Sequence, residues 1–328
     1  MSPQHIESET KMMETTNQPS RRPAVALLGT GTMGSGMAQR MLDLGFPVNV
    51  WNRNPGPVTA LTEHGATARE TPTDAVAAAE IVVTMLPNAD AVADVMLRGG
   101  TLDALRANAT WAQMGTIGFE ATERLAAEVA RRRPDVMFVD APVSGSREPA
   151  RNGRLLILAS GPDRSHDSVD AVFAALGQRT LWLGRAGTAS RLKLVLNAWL
   201  AFEIEAAAEA SALAERLGVP YAVLADAVVG GPLASATASA KLAKMERGDY
   251  SADFSLEWAL KDLDLALAAS GAETTPVVMA IAERWRRLVA QGHGHFDISA
   301  ARLGLDPGPQ TNYPGIRPPI RMYDHTNG

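Results

Sequence analysis

The sequence predicts an α/β domain built on a mainly parallel sheet, followed by an all-α C-terminal domain, with one long interdomain helix joining the two. Three observations predict it. Short β-branched or apolar runs alternate with helical patterns from Ala24 to Leu183, a glycine-rich turn separates the first run from its helix, and beyond Thr188 the chain reads as helix after helix. A length of 328 residues leaves room for two buried cores, and 46% hydrophobic with 20% charged residues is ordinary globular composition.

The extended runs are Ala24 to Leu28, Val48 to Trp51, Ile81 to Met85, Thr110 to Met114, Val136 to Val139, Leu155 to Ala159 and Arg179 to Leu183. Strands separated by helices imply right-handed crossovers and hence parallel pairing. The joining helix is Ala-rich and expected from Thr188 to about Leu217, closed by Gly218 and Pro220. Further helices are expected at Tyr221 to Val229, Ala234 to Glu246, Ser255 to Ser270 and Pro276 to Gln291. The resulting plan is a flexible tail over 1–22, the α/β domain over 23–187, the helical domain over 188–302 and a Pro-rich tail over 303–328. Pro307, Pro309, Pro314, Pro318 and Pro319 leave little room there for a helix or a paired strand.

Composition narrows the chemistry. Lys plus Arg is 31 against 36 Asp plus Glu, a net charge of −5 that gives no electrostatic support for a general nucleic-acid binder. The absence of cysteine excludes disulfides, thiol catalysis and thiolate metal sites. Six histidines contain no helical pair of the metalloprotease kind, so no metal site is expected. The start, Met1 to Arg22, is polar, and Glu80, Glu203 and Glu205 interrupt the richest apolar stretches. A soluble cytoplasmic protein without a membrane partner is expected.

The run Ala24 to Leu28 leads directly into Gly29-Thr30-Gly31-Thr32-Met33-Gly34 and then a helical pattern through Leu44. The first glycine allows the tight turn, the second lets backbone approach a pyrophosphate, and the third permits close helix packing. Placed between strand and helix, this is a Rossmann-type dinucleotide signature. A cofactor site for NAD usually ends its second strand in a carboxylate that bonds the ribose hydroxyls. Here Trp51 is followed by Asn52 and Arg53, with no carboxylate to repel a 2′-phosphate and a guanidinium to hold it, so NADP is expected over NAD.

Farther on, Asp140-Ala141-Pro142-Val143-Ser144-Gly145-Ser146 follows a strand, and its small residues let N–H groups and hydroxyls converge on an anion such as a carboxylate. The long helix carries Lys193 and Asn197 at i and i+4, on one face. They stand among Leu192, Leu194, Val195, Leu196, Ala198 and Trp199, and polar groups in such surroundings need a reason. A lysine ammonium can protonate the alkoxide formed when hydride reaches a carbonyl.

These motifs together resemble the β-hydroxyacid dehydrogenase family, which includes 3-hydroxyisobutyrate dehydrogenases and glyoxylate/succinic semialdehyde reductases. The resemblance spans roughly Ala24 to Ala301 and rests on Gly29 to Ala38, Asp140 to Ser146, Gly187 through Lys193 to Asn197, and Lys261-Asp262-Leu263. Pro142 to Ala150, Asn52-Arg53 and Leu156 to Ala159 look most like the glyoxylate/succinic semialdehyde reductase branch.

The resemblance implies that Lys193 is the proton donor, Asn197 a substrate-orienting amide, and Ser144, Gly145 and Ser146 the substrate-carboxylate site. It places Thr116 beside nicotinamide and substrate, and Met85, Leu86 and Pro87 along the cofactor. Phe254, Lys261 and Asp262 close the site from the helical domain, with Lys261 toward the cofactor.

The chain departs from the family pattern in places. Gly115-Thr116 stands where Ser-Thr is common, Leu196-Asn197 where two asparagines are common, and Ala189 where glycine is common. Trp258 shares a helical face with Phe254, Lys261 and Leu265 and is expected mainly as core packing, the alternative being that it shapes the pocket. The implied activity is NADPH-dependent, reversible reduction of a small aldehyde or keto acid. Imine reduction and a non-catalytic dinucleotide-binding role are the alternatives, and retained Lys193 argues against a dedicated imine reductase. A homodimer is expected because Leu192, Val195, Leu196, Trp199, Leu200, Phe202, Ile204, Leu213 and Leu217 put apolar groups on more than one face of the long helix.

Overall fold

A computed structural model of the protein describes residues 21–162, 167–229 and 231–305. The expected tails therefore lie largely outside the described residues. Six strands, β1 (Val25–Leu28), β2 (Val48–Trp51), β3 (Thr67–Ala68), β4 (Ile81–Thr84), β5 (Thr110–Gln113) and β6 (Met137–Asp140), pair in parallel in the order β3-β2-β1-β4-β5-β6. Between them run α1 (Thr32–Asp43), α2 (Gly56–Glu63), α3 (Pro72–Val76), α4 (Ala89–Ala93) and α5 (Phe119–Arg132). The sheet is covered on both faces, which is why its strands read as apolar runs and do not alternate. Val25, Leu27, Ile81, Val83 and Val139 pack on one side with Met37, Met41 and Phe173. Ala26, Leu28, Val82, Trp111 and Phe138 pack on the other with Val92 and Leu125.

The last two expected strands do not join this sheet. A second sheet, β7 (Val143–Ser144), β8 (Leu155–Ala159) and β9 (Gly177–Trp182), pairs β7 antiparallel to β8 and β8 parallel to β9, with α6 (Arg147–Arg151) and α7 (Asp167–Leu176) as its connections. The chain turns between the sheets at Pro142, which cannot donate to a ladder. Gly36 of α1 brings the two units together: a Cβ there would stand 3.3 Å from the Arg147 carbonyl oxygen and from the Ala150 side chain.

The helical region begins with α8 (Thr188–Arg216), 29 residues long, and continues with α9 (Tyr221–Val228), α10 (Ala236–Arg247), α11 (Leu256–Ser270) and α12 (Pro276–Leu288). Gly187 enters α8 at φ +94°, a conformation costly for any residue bearing a Cβ. Ile204, Leu242, Leu260, Ile281 and Trp285 form the core of this region. The fold is thus a Rossmann-type α/β unit carrying an all-α C-terminal region on one long helix. Among the described residues no helix is long and apolar enough to cross a membrane, and no group of three or more potential ligands could hold a metal ion.

Candidate active site

In an open parallel sheet the ligand crevice lies at the carboxyl ends of the strands, where the strand order reverses. Here that is the gap between β1 and β4. β1 delivers Gly29 at φ +103°, and a Cβ there would run into the Met85 carbonyl oxygen and the Leu86 side chain. Gly34, buried in the first turn of α1, lies so close to the Gly29 carbonyl oxygen that any Cβ would overlap it. Gly31, by contrast, is exposed, and a Cβ there would meet nothing. It is also the N-cap of α1, provides no side-chain cap, and is followed by a first turn without acidic residues. The leading N–H groups of α1 are therefore left for an anion. Thr30 adds a buried hydroxyl with no hydrogen-bond partner.

Asn52 at the end of β2 supports this turn: its Oδ1 accepts from the Thr30 amide at 3.1 Å while its Nδ2 donates to the Asn54 carbonyl at 2.8 Å. Arg53 is exposed beyond it. Met85 and Leu86 are half-buried where β4 ends, and Pro87 is exposed. These residues fit a dinucleotide: a capless helix start for a pyrophosphate and, past the end of β2, an exposed guanidinium.

The next strand end carries a buried amide chain. Trp111 Nε1 donates to Thr84 Oγ1, which donates to Gln113 Oε1 at 3.1 Å, and Gln113 Nε2 donates to the Gly115 carbonyl at 2.7 Å. This chain draws the loop against β4, so that a Cβ on Gly115 would come within 2.5 Å of the Leu86 carbonyl oxygen. The glycine that departs from Ser-Thr is thus a packing requirement of this backbone. Thr116 follows, half-buried, and its carbonyl accepts from Lys261 Nζ across the cleft.

Opposite stands the first part of α8. Lys193 and Asn197 are buried, 9% and 6% exposed, one above the other on the helix. Asn197 Nδ2 donates to Asp262 Oδ2 at 2.5 Å, and Asp262 Oδ1 lies 2.9 Å from Lys261 Nζ. Five residues from three parts of the chain, Thr116, Lys193, Asn197, Lys261 and Asp262, therefore form one charged cluster. Burial lowers the Lys193 ammonium to about 8; the Asp262 carboxylate opposes that shift and the Lys261 ammonium adds to it. Burial pushes the Asp262 carboxyl up, against the pull of Lys261, Lys193 and Asn197. The lysine is thus held near its protonation midpoint in mildly alkaline water, where it can give or take a proton.

A second buried carboxylate sets the position of α8. Asp140, at the end of β6 and fully buried, accepts from the amides of Gly187 and Ser190 at 3.0 Å each, from Ser190 Oγ at 2.7 Å and from Ser160 Oγ at 3.0 Å. Ser160 Oγ in turn accepts from the Ala189 amide, and Ser190 Oγ meets Thr122 Oγ1 of α5 at 3.1 Å. A carboxylate bonded to the leading amides of a helix satisfies both their hydrogen bonding and the helix dipole. Lys193 lies one turn farther along, so the sheet fixes the lysine through Asp140. Burial pushes the Asp140 carboxyl up, and its donors oppose that shift.

The remaining expected site residues are less directly joined to this cluster. Ser144 ends β7 and is half-buried, Gly145 is exposed, and Ser146 is the N-cap of α6 without a side-chain cap bond. Phe254 is half-buried just before α11; its amide donates to Asp297 Oδ2 at 3.3 Å and its carbonyl accepts from the Ile298 amide. Trp258 is not core packing: it is 40% exposed.

Two family profiles match the chain in succession: one described as the NAD-binding domain of 6-phosphogluconate dehydrogenase over residues 24–184, the other as NAD-binding of NADP-dependent 3-hydroxyisobutyrate dehydrogenase over 187–303. The chain is 31% identical over 279 residues to glyoxylate/succinic semialdehyde reductase 1 of Arabidopsis thaliana, covering 84% of this chain and 96% of that one. The chain belongs to the β-hydroxyacid dehydrogenase family. It is also 31% identical to cytokine-like nuclear factor N-PAC of Xenopus tropicalis, spanning 84% of this chain and 52% of that longer protein. The crystal structure of a 3-hydroxyisobutyrate dehydrogenase from Salmonella typhimurium superimposes with a TM-score of 0.78 at 25% identity, covering 85% of this chain and 98% of that one.

As a member of this family the chain is an NAD(P)-dependent oxidoreductase of the hydroxyacid dehydrogenase class, with a nicotinamide dinucleotide cofactor. Asp140, Gln113 and Asp297 were given no individual role by the sequence. Asp140 had one available signal, a carboxylate placed directly after an apolar run. For Asp297, whose partners Lys241 and the amides of Asp253 and Phe254 lie at least 43 residues away, spacing offers none.

Proposed function

We propose that this β-hydroxyacid dehydrogenase is an NADPH-dependent reductase of small aldehyde or keto acids, working reversibly on the corresponding hydroxy acid, with Lys193 as proton donor. The observation that carries the reading is the buried Lys193 ammonium, lowered to about 8, with Asn197 one turn along its helix and the Asp262 carboxylate that holds Asn197 close enough to act on it. NADPH, when bound, supplies the hydride. Gly29, Thr30, Gly31, Thr32, Met33 and Gly34 would hold its pyrophosphate, Asn52 and Arg53 its adenosine end, and Met85, Leu86, Pro87, Thr116 and Lys261 its nicotinamide half.

The protein's own groups do the rest. Ser144, Gly145 and Ser146 bind the substrate carboxylate. Asn197, held by Asp262, orients the carbonyl. Lys193 Nζ gives its proton to the developing alkoxide, stabilising charge where it forms. In the reverse direction the neutral amine takes that proton. Phe254 and Asp262 close the site from the helical side.

Two further features belong to the proposal. Residues 23–187 act as the cofactor domain and 188–302 as the substrate and dimerisation domain, in a protein expected in the cytoplasm. A second copy covers Val195, Trp199 and Phe202, which lie 62%, 64% and 37% exposed along one side of α8. Light scattering at micromolar concentration should give the dimer mass, and a monomer would contradict this part. The activity itself is tested by following NADPH oxidation with a panel of small keto acids, aldehydes and imines. Turnover of keto or aldehyde acids is expected; turnover of imines alone would favour the imine-reductase alternative, and turnover of none the non-catalytic one.

A further inference from the structure

We infer that Trp258 is a specificity-determining residue, seating an apolar and preferably aromatic substituent of the substrate at the open side of the Lys193 cluster. The inference deepens the proposed reductase reading and rests on it. In an α-helix, residues 258, 261, 262 and 265 share one face. Three of them are placed by their partners: Lys261 reaches the Thr116 carbonyl, Asp262 holds Asn197, and Leu265 stands 3.0 Å from where a Gly118 Cβ would be. That face of α11 therefore looks into the cleft between the helical region and the loop after β5.

Trp258 stands on the same face about one turn toward the start of α11, about 6 Å from Asp262 along the axis. It is 40% exposed, while Asp262 beside it is 3% exposed. A large aromatic surface bordering a polar buried cluster is costly to leave wet, and recovers that cost when a ligand covers it.

One departure noted in the sequence points the same way. Leu196, half-buried, stands next to Asn197 where the family commonly has a second amide, so an apolar side chain replaces a hydrogen-bonding one beside the cluster. The cluster thus offers polar contacts for one carbonyl, the carboxylate falling to Ser144, Gly145 and Ser146, and Trp258 offers an apolar surface for what extends beyond them. The substrate class that fits is a 2-oxo acid or aldehyde acid carrying an aryl or branched alkyl group about one helical turn from the reacting carbon.

The experiment compares glyoxylate with 2-oxo-4-phenylbutanoate, whose ring lies beyond two methylenes, in the unmodified enzyme and in Trp258→Ala and Trp258→Phe. The unmodified enzyme should prefer the phenyl substrate in kcat/KM. Trp258→Ala should lower the ratio of the two kcat/KM values by about tenfold or more, mainly through KM, and Trp258→Phe should restore much of it. A binding arm needs no turnover: affinity of the NADP-loaded protein for 2-hydroxy-4-phenylbutanoate, measured against glycolate, should lose the same selectivity in Trp258→Ala.

Equal losses on both ligands, or no loss on either, would overturn the inference. So would conversion of a dimer to a monomer by Trp258→Ala, which would assign the indole to a second copy. Absence of turnover on every substrate would contradict the proposed reductase reading, while the binding arm would still decide the role of Trp258.

Discussion

The two sides of the active cleft are built from different materials. On the cofactor side the contacts are main chain: Gly29, Gly31 and Gly34 shape a turn around the bare start of α1, and the charge offered to an anion is that of peptide dipoles. On the Lys193 side they are side-chain charges, Lys193 and Asp262 buried and Lys261 half-buried, held between α8 and α11. The difference teaches where each side is vulnerable. A methyl group is enough to damage the first, whereas the second tolerates shape changes better than changes of charge.

Breaking the comparison at its strongest point means removing Lys193. Lys193→Ala should retain cofactor affinity and lose about 100- to 10,000-fold in turnover, since a positioned acid is missing. Asn197→Ala should lose less, because it orients without transferring the proton. Steady-state kinetics beside a cofactor titration separate the two effects. The converse is Gly34→Ala, where the added Cβ meets the Gly29 carbonyl. It should weaken binding of both NADPH and NADH by roughly a hundredfold as the turn distorts, with a smaller change in kcat at saturation. Wild-type cofactor affinity in that variant would show that the main-chain cradle is not where the pyrophosphate sits.

Arg53→Ala sharpens the cofactor side further. A charge-assisted contact to a 2′-phosphate is worth about 1.5 to 3 kcal/mol, so the variant should lose about ten- to a hundredfold of its preference for NADPH while NADH binding stays put. Equal affinity of the unmodified protein for both cofactors would remove Arg53 from selection.

The smallest effect is on stability. Holding the Lys193 ammonium at about 8, against an ordinary 10.4, costs the charged form about 3 kcal/mol. Lys193→Met should therefore melt several degrees higher at pH 7. Because the lysine's folded pKa is lowered, the unfolded chain binds more protons between about pH 8 and 10.4, and the unmodified protein gains stability as pH rises through that window. The advantage of Lys193→Met should shrink over the same range, as thermal melts at several pH values would reveal.

The same contrast explains what could be read from the chain. Main-chain sites impose glycine at fixed local spacing, so the turn from Gly29 to Gly34 and the helix behind it were legible from residues alone. The order of strands and helices was legible too, because burial on both faces makes each strand an apolar run. The split into two sheets was not: Leu155–Ala159 is as apolar as Ile81–Thr84, and only the turn after Asp140 separates them. Side-chain clusters depend on partners far apart in sequence. Asn197 and Asp262 are 65 residues apart and Asp140 and Ser190 50, so local spacing could suggest Lys193 and Asn197 as a pair, yet could not reveal what holds them. Trp258 was misread as core because helical periodicity cannot distinguish a face that meets a neighbouring helix from one that borders a cleft.

The central claim is that the proton moved in catalysis belongs to the buried Lys193. The direct measurement is the pH dependence of kcat/KM, which reports the free enzyme's groups, in both directions for the unmodified enzyme on one substrate pair. With Lys193 at about 8, reduction should hold at neutral pH and fall above pH 8, while oxidation should rise through the same point, because the first needs the ammonium and the second the free amine. Reduction that stays flat to pH 10, or a break near 8 that survives in Lys193→Ala, would contradict it.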